Sequence, residues 1–544
     1  MNLVAQGNEN LYFNGNPKKT FFKAIYNKYT NFGLQKFRID YEGAKVLNFN
    51  TPTKYEFKIP RYADLLHDTY IVLNLPDIWS PFYYSENDSN PLIPYEFKWI
   101  REIGAYMINE IEIVSGGYTL SKYNGEYLSC LKERDFDKNK KELWNKMTGN
   151  IPELYEPENC NGNFNTYPNA MFTDTGVDIE PSIRGRKLYI PLCSFFGSNT
   201  KTALPLVALQ YHEITIKIEF KSIVDLYTIN NIEAIRGTNS GNNYSYRIRP
   251  NPNIEDQQIW RFLQPPRDMT SNIDNYLKIF DWNVDIHLIS TFIFLDNDER
   301  RYFAKKTHTY LIKQVYTYDY FDVGGNKIID MDSKDMVCNY MWRFRRSDAK
   351  FRNEWSNYTN WAYQDIIPQN LKVFRSNIIP NPLNFAYTGN IGMPNDTLSQ
   401  YPINIKNILT SLGIVMNGVY RENILDAGIY DYIEKFNKTP GASIKDGLYC
   451  YNFCLNTDHT KYQPSGAINV NRFGKISFEF STIDTPYDPS GVNVEFICDD
   501  NNNPIGFRKS SNNISQYNYN LRIFEERYNL IKIQSGQLGL LNAR

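Results

Sequence analysis

Alternation of apolar and polar residues is the dominant pattern along this chain. From Ile214 to Phe220 an isoleucine or phenylalanine occupies every second position, with polar residues between them. Ile476 to Phe480 repeats the pattern, and Ile111 to Leu120 shows it on both sides of the turn dipeptide Gly116-Gly117. Successive side chains of a strand point to opposite faces, so each segment predicts a strand with one buried and one solvated face. The chain is therefore predicted to be antiparallel and all-β.

Helical patterns are few. Tyr127 to Met147 is predicted to be helical, with a gap in its apolar positions, and Asn297 to Lys306 is predicted to be a short helix capped by Asn297 or Asp298. Pro, Gly, Asn and Asp are frequent in four long connections between the predicted elements, at 152–176, 230–252, 368–396 and 484–504. Long connections in a compact domain are typically functional or interaction elements.

The two halves of the chain follow one plan. Each half ends in a long strand-rich stretch, at Trp282 to Leu295 and at Leu521 to Ile533. A strongly alternating strand precedes each of these stretches, at 212–220 and 474–481. The residues of the halves do not align well, but the order of elements predicts two copies of one β-domain joined near 296–309.

Composition fits two large β-domains. The chain has 544 residues, of which 42 are Tyr and 33 are Phe, and both residue types favour strands. A chain of this length exceeds the size at which one hydrophobic core stops growing. Its 59 Lys and Arg are balanced by 60 Asp and Glu, whereas a protein that neutralises many phosphates usually carries a basic excess. Direct binding to nucleic acid is therefore disfavoured.

Cysteine usage and the apolar runs argue against a secreted or membrane-spanning chain. Seven cysteines scattered through 544 residues do not form a disulfide framework. The N-terminal residues lack the basic and apolar regions of a signal peptide, and no apolar run approaches the ~18 residues that a membrane span requires. Synthesis in a reducing cytosol is expected.

Motifs for catalysis are missing from the sequence. The five histidines have no metal-binding spacing, and neither a phosphate-binding GxxxxGK[ST] loop nor a GxSxG nucleophile elbow occurs. Cys450, Cys454 and His459 are close in sequence, but a zinc site usually needs a second pair of ligands. The adjacent carboxylates Glu525 and Glu526 should point to opposite faces of a strand, so they cannot flank one bond. We expect no catalytic, cofactor-binding or metal-binding residues and no enzymatic activity.

Six blocks, in order along the chain, give a more specific indication. They resemble segments of the major capsid proteins of nucleocytoplasmic large DNA viruses. The most distinctive contains LPLVALQYHE, from Leu204 to Glu213. The blocks are Asn14 to Phe32, Tyr95 to Tyr127, Leu188 to Phe220, Phe294 to Val315, Gln463 to Phe473 and Ile533 to Leu541.

This resemblance implies a double jelly roll, which is two consecutive eight-stranded antiparallel jelly rolls with long loop insertions and a few short helices. It implies a homotrimer that forms a pseudo-hexagonal capsomer, many copies of which tile an icosahedral shell around an internal viral membrane that the chain does not span. Minor capsid and penton proteins would be further partners, glycans could be attached, and the shell would assemble in the host cytoplasm. The expected divisions are an N-terminal arm at 1–24, a first jelly roll at 25–296, a linker helix at 297–309 and a second jelly roll with a tail at 310–544.

Three tryptophans in one segment are candidates for an interface between copies. Trp342, Trp355 and Trp361 lie within MWRFRRSDAKFRNEWSNYTNW. Large aromatic residues are enriched in the buried centres of protein interfaces. The alternative is that they fill the core of the second jelly roll. For the whole chain the alternatives are a minor or penton capsid protein, or a secreted or surface carbohydrate-binding or carbohydrate-cleaving double β-sandwich.

Overall fold

The structure is a computed structural model that describes residues 7–43, 45–84, 92–172, 180–232, 247–267, 277–364, 405–485 and 517–542, and the backbone of 494–498 and 504–509. Strands dominate it. The α-helices of the described residues are α1 (Glu9–Phe13), α2 (Ile103–Tyr106), α3 (Gly125–Asp135), α4 (Lys138–Thr148), α5 (Pro152–Tyr155), α6 (Phe195–Ser198), α7 (Asn297–Lys305) and α8 (Glu434–Lys438).

The first fourteen strands lie in the first half of the chain. They are β1 (Phe32–Asp40), β2 (Thr53–Lys58), β3 (Leu65–Leu75), β4 (Phe82–Tyr84), β5 (Leu92–Pro94), β6 (Lys98–Trp99), β7 (Ile108–Ser115), β8 (Tyr118–Tyr123), β9 (Arg186–Pro191), β10 (Leu204–Pro205), β11 (Ile214–Phe220), β12 (Tyr227–Asn230), β13 (Arg247–Ile248) and β14 (His287–Leu295).

The remaining strands lie in the second half. They are β15 (His308–Tyr320), β16 (Asn326–Met331), β17 (Met336–Arg346), β18 (Leu409–Met416), β19 (Val419–Asp426), β20 (Leu448–Asn452), β21 (Ile468–Asn469), β22 (Ile476–Thr482), β23 (Val494–Cys498), β24 (Pro504–Lys509), β25 (Tyr519–Gln534) and β26 (Gln537–Leu540).

Two β-sandwiches with the same strand order make up the fold. In the first, the sheet β1-β14-β3, continued by β9 and β10, packs against the sheet β2-β11-β7-β8. In the second, the sheet β15-β25-β17-β20 packs against the sheet β16-β22-β18-β19. The pairings within these sheets are antiparallel. The predicted jelly-roll plan is therefore present twice.

Each sandwich core is built by the alternation seen in the sequence. In β11 the residues Ile214, Ile216, Ile218 and Phe220 are buried, while the Lys217 between them is exposed. In β22 Ile476, Phe478 and Phe480 are buried in the second core. The hairpin of β7 and β8 turns at Gly116 and Gly117, which both have positive φ and so adopt a backbone conformation that glycine favours.

The helix predictions are correct in position and wrong in detail. The segment predicted as one helix from Tyr127 to Met147 forms two, α3 and α4, because Phe136 is extended and the Asp137 side chain accepts a hydrogen bond from the Lys140 N–H, which starts a new helix. The cap of α7 is Asp296, one residue earlier than predicted. The predicted loop 368–396 and most of 230–252 and 484–504 lie outside the described residues.

Candidate functional site: the joint and the exposed surfaces

Helix α3 of the first sandwich lies against the second sandwich. It begins directly after β8, and the Asn124 side chain caps it by accepting a hydrogen bond from the Tyr127 N–H at 2.8 Å. Gly125 is required at the first position, since a Cβ there would lie 1.7 Å from the Ala105 carbonyl oxygen. Ten of the eleven helix residues are buried. We call the contact of α3 with the outer face of β15-β25-β17-β20 the joint.

One charged cluster of the joint surrounds Glu126 at the start of α3. Its carboxylate accepts hydrogen bonds from Arg343 on β17, from Arg345 at 2.8 Å and from Arg522 on β25 at 2.7 Å. Burial would raise the pKa of Glu126, but these three guanidinium groups outweigh it and hold that pKa well below its usual range. The carboxylate is therefore charged and links α3 to two strands of the other sandwich.

A second cluster lies at the other end of α3. Arg134 is fully buried and donates to Asp135 at 2.7 Å and to Glu526 of β25 at 2.9 Å. Glu526 also accepts from Tyr127 at 2.7 Å and from Asn339 at 2.8 Å. Burial opposes the charge on Glu526, but Arg134 prevails and lowers the pKa of that carboxyl to about 2. This cluster therefore joins the two sandwiches. The first supplies Arg134, Asp135 and Tyr127, and the second supplies Glu526 and Asn339.

The loop after α8 completes the joint. The Gly441 N–H donates to the Arg134 carbonyl oxygen at 2.9 Å, and the Lys445 ammonium donates to Glu102 at 2.7 Å. A Cβ at Gly441 would lie 2.5 Å from the same Arg134 oxygen, so the backbones touch here. Apolar side chains of both sandwiches, among them Leu128 and Phe524, pack into one continuous cluster. The joint therefore fixes the two sandwiches as one body.

The three candidate tryptophans lie in different environments. Trp342 is fully buried in the second core beside Tyr449 and Phe478, so its prediction as a contact between copies is wrong and the core alternative holds. Trp355 is half-buried at the joint, where its indole N–H donates to the Asp225 carbonyl oxygen at 2.9 Å. Trp361 is half-buried. For Trp355 and Trp361 a contact between copies stays a prediction.

Sequence reasoning missed the joint itself. The signal was present in α3, GEYLSCLKERD, whose charged residues do not form a separate polar face. A helix that is polar on several sides and still ordered typically bridges two domains. Identifying its partners needed the fold, because Tyr127 and Glu526 are 399 residues apart.

Carboxylates in the cleft beside the joint are already paired. The cleft has a volume of about 880 Å³ and is lined by both sandwiches. Glu110 is bridged to Lys122 at 3.0 Å, Glu112 accepts from Thr119 at 2.8 Å, and Glu126 is held by its arginines. Glu525 and Glu526 point to opposite faces of β25, as predicted, since Glu525 pairs with Arg527 and Glu526 with Arg134. These contacts give the carboxylates structural partners.

Among the described residues no group of three His, Cys, Asp or Glu side chains is arranged to hold a metal ion. In the same part of the chain no helix has the length and apolar character to cross a bilayer. The described cysteines are free thiols, and burial raises the pKa of Cys130, Cys193 and Cys450 to about 12.

Among the described residues, apolar side chains are exposed at several places, and two of these places hold several large apolar side chains close together. The first is the extended segment 14–31 with the start of β1, where Phe21, Phe22 and Tyr26 are each more than four-fifths exposed. The second is a groove beside α8, where Phe436 and Ile444 are 81% and 95% exposed. Large exposed apolar patches on a folded chain mark interaction sites.

Comparison with known proteins identifies the family. Residues 20–250 match the family described as "Major capsid protein N-terminus", and residues 299–539 match "Large eukaryotic DNA virus major capsid protein". The chain is 23% identical to the major capsid protein of Phaeocystis pouchetii virus, over 99% of this chain and 98% of that protein. It is 28% identical to capsid protein 1 of Acanthamoeba polyphaga mimivirus, over 58% of this chain and 43% of that protein.

A solved structure shows the same fold. The quasi-atomic model of the PBCV-1 virus capsid matches 96% of this chain and 100% of its own, with a TM-score of 0.59 and 19% identity. The double jelly roll predicted from the sequence is thereby confirmed, and the carbohydrate-binding and penton alternatives are not favoured. The chain belongs to the family of major capsid proteins of the nucleocytoplasmic large DNA viruses.

Proposed function

We propose that this structural capsid protein of the virion works as a homotrimer, with three copies forming a pseudo-hexagonal capsomer that tiles an icosahedral shell. The observation that carries the proposal is the joint. It holds two sandwiches of identical strand order as one rigid body, so three copies present six similar blocks. Closed symmetric rings are the usual outcome when one protein associates with itself.

The mass of the purified chain in solution tests the proposal. Sedimentation equilibrium should give a species of three times 63.8 kDa that persists on dilution. Electron microscopy of that species should show a hexagonal outline. A stable 63.8 kDa monomer would contradict the trimer.

In this capsomer each chain has four parts. They are an arm at 1–24, a first jelly roll at 25–296, a linker helix at 297–309 and a second jelly roll with a tail at 310–544. Minor capsid and penton proteins, and an internal membrane that the chain does not span, are the proposed surroundings. Assembly takes place in the host cytoplasm, and the chain has no enzymatic activity. The exposed aromatic residues that follow α1 support contacts made by the arm.

Deletion of residues 1–13 separates assembly from folding. We expect the shortened chain to form trimers, because Leu11, Tyr12 and Phe13 contribute nothing to either core. We expect it to fail in shell assembly, because these exposed side chains are then no longer available to contact neighbouring proteins. Trimer mass is read by sedimentation and shell yield by electron microscopy. Normal shells from the shortened chain would show that these residues are dispensable.

A further inference from the structure

An apolar groove lies on the second sandwich beside the helical segment that follows β19. This segment consists of one π-helical turn, Ile429–Ile433, followed by α8. The groove has a volume of about 450 Å³, and its lining includes Tyr432, Ile433, Phe436 and Ile444, of which even the most covered is 49% exposed. Exposed apolar clusters of this kind are interaction surfaces in folded proteins.

The segment occupies the same place in the second sandwich as α3 does in the first. Helix α3 follows β8, the last strand of the sheet β2-β11-β7-β8, and leads on to β9. The segment 429–438 follows β19, the last strand of β16-β22-β18-β19, and leads on to β20. The difference is that α3 is buried against the next sandwich of the chain, whereas 429–438 has exposed apolar side chains.

The outer sheet faces of the two sandwiches also differ in exposure. Helix α3 covers the face of the second sandwich, and the face of the first sandwich is the one that 429–438 would cover. Under α3, Phe524, Met341 and Cys450 lie in one row across the outer face of the second sandwich, and all three are fully buried.

In the first sandwich the neighbours in such a row are Ile289 on β14, Tyr70 on β3 and Pro191 on β9, and each is partly exposed. Beside them, Tyr189 of β9 is 41% exposed. One sandwich thus has a covered outer face and an exposed helix, and the other has a buried helix and a partly exposed outer face.

We propose that the groove at 429–446 of one copy binds the outer face of the sheet β1-β14-β3-β9 of a second copy. This contact repeats between copies the arrangement that α3 makes within one chain. It joins two different surfaces head to tail, and such a contact closes into a ring when the rotation between copies allows it. The inference rests on the proposed trimer and assigns the surfaces that hold it together.

A charge placed in the groove tests the assignment. Phe436→Asp should raise the trimer dissociation constant by about 30-fold or more, as the loss of a central aromatic anchor does. Because Phe436 is 81% exposed in the single chain, far-UV circular dichroism of the variant should match the wild type. Phe321→Asp is the matched control, since Phe321 is 71% exposed at the turn after β15, away from the groove, and it should leave the trimer unchanged.

The outcomes separate the surface from the trimer itself. A trimeric wild type with a trimeric Phe436→Asp variant overturns the groove and leaves the proposed function standing. A monomeric wild type overturns both. Loss of the trimer in Phe321→Asp as well as in Phe436→Asp overturns the specificity of the groove.

Cross-linking identifies the partner surface. In the double variant Phe436→Cys with Tyr189→Cys, made in a chain whose partly exposed Cys160 and Cys193 are replaced by serine, a short bis-maleimide should link chains into dimers and trimers on a denaturing gel. Neither single variant in the same background should do so. Linking in Phe436→Cys alone would mean that two grooves face each other. Failure of the double variant to link, with Phe436→Asp monomeric, would mean that the groove binds another surface, such as the arm. Either result overturns the assignment to the sheet.

Discussion

The core of the second sandwich and the joint are both buried, but they are built from different chemistry. In the core, Trp342 packs against Tyr430, Tyr449 and Phe478 with ring centroids 5.3 to 6.0 Å apart. In the joint, two ion-pair networks centred on Glu126 and Glu526 join strands and helices of different sandwiches.

The difference reflects what each region must specify. Apolar burial is non-directional and tolerates substitution when volume is kept. Buried ion pairs need fixed geometry, and a missing partner leaves an uncompensated charge. We infer that the cores supply stability and that the joint supplies the fixed angle between sandwiches on which a capsomer depends. The following variants test that division, from the largest expected effect to the smallest.

Removing Arg134 should break the joint. Arg134→Met leaves the buried carboxylates of Asp135 and Glu526 without their shared cation, which should cost about 3–5 kcal/mol in the free energy of unfolding. Thermal unfolding followed by circular dichroism measures the loss. Adding Glu526→Leu should recover part of it, since one unpaired charge is then removed.

The control for this variant is an exposed pair. Arg184 and Glu180 form a salt bridge in which both side chains are about three-quarters exposed, so Arg184→Met should leave the unfolding midpoint unchanged. Equal effects of Arg134→Met and Arg184→Met would show that the buried network contributes no more than a surface pair.

Acid should weaken the joint through His459. Burial, opposed by Asp135, lowers the pKa of His459 to about 4 from an ordinary value of 6.5. Between these values the unfolded chain binds a proton that the folded chain does not, so stability falls as pH falls from 6.5 towards 4. The slope is about 1.4 kcal/mol per pH unit.

His459→Phe tests this dependence because it keeps a ring beside Phe136 and cannot titrate. The measurement is the free energy of unfolding in urea at several pH values between 4 and 7.5. Between pH 6.5 and 4 the free energy of unfolding of the variant should change less steeply with pH, by about 1.4 kcal/mol per pH unit, which is the contribution of one proton. Above pH 7 the slope should equal that of the wild type. An unchanged slope would mean that other groups cause the acid sensitivity.

The strands could be predicted from sequence because their signal is local. The alternation from Ile214 to Phe220 predicts by itself which face is buried, and the apolar residues of β11 are buried in the structure. The joint could not be predicted, because the partners of Glu126 lie 217 to 396 residues away. Trp342 illustrates the same limit. The sequence alone does not distinguish an aromatic residue of a core from one of an interface. The register of β17 is what places Trp342 in the core.

Close backbone contact at Gly441 gives a smaller test of the joint. In Gly441→Ala the new Cβ would meet the carbonyl oxygens of Arg134 and Phe136 at 2.5 and 2.7 Å, so the loop must move away from α3. Overpacking of this kind costs about 1–3 kcal/mol. Gly539→Ala is the matched control, since a Cβ there meets no atom within 4 Å. Equal unfolding midpoints for the two variants would show that the loop is not pressed against α3.

Away from the joint, an ion pair should contribute almost nothing. Lys54 bridges Glu219 at 3.0 Å across β2 and β11, but three-quarters of its side chain is exposed and Glu219 also accepts a hydrogen bond from Asn109. Lys54→Ala should therefore leave the unfolding midpoint within experimental error, at low and at high salt. A salt-dependent fall in that midpoint would mean that charge pairing stabilises the sandwiches themselves, and the contrast between an apolar core and an ionic joint would no longer hold.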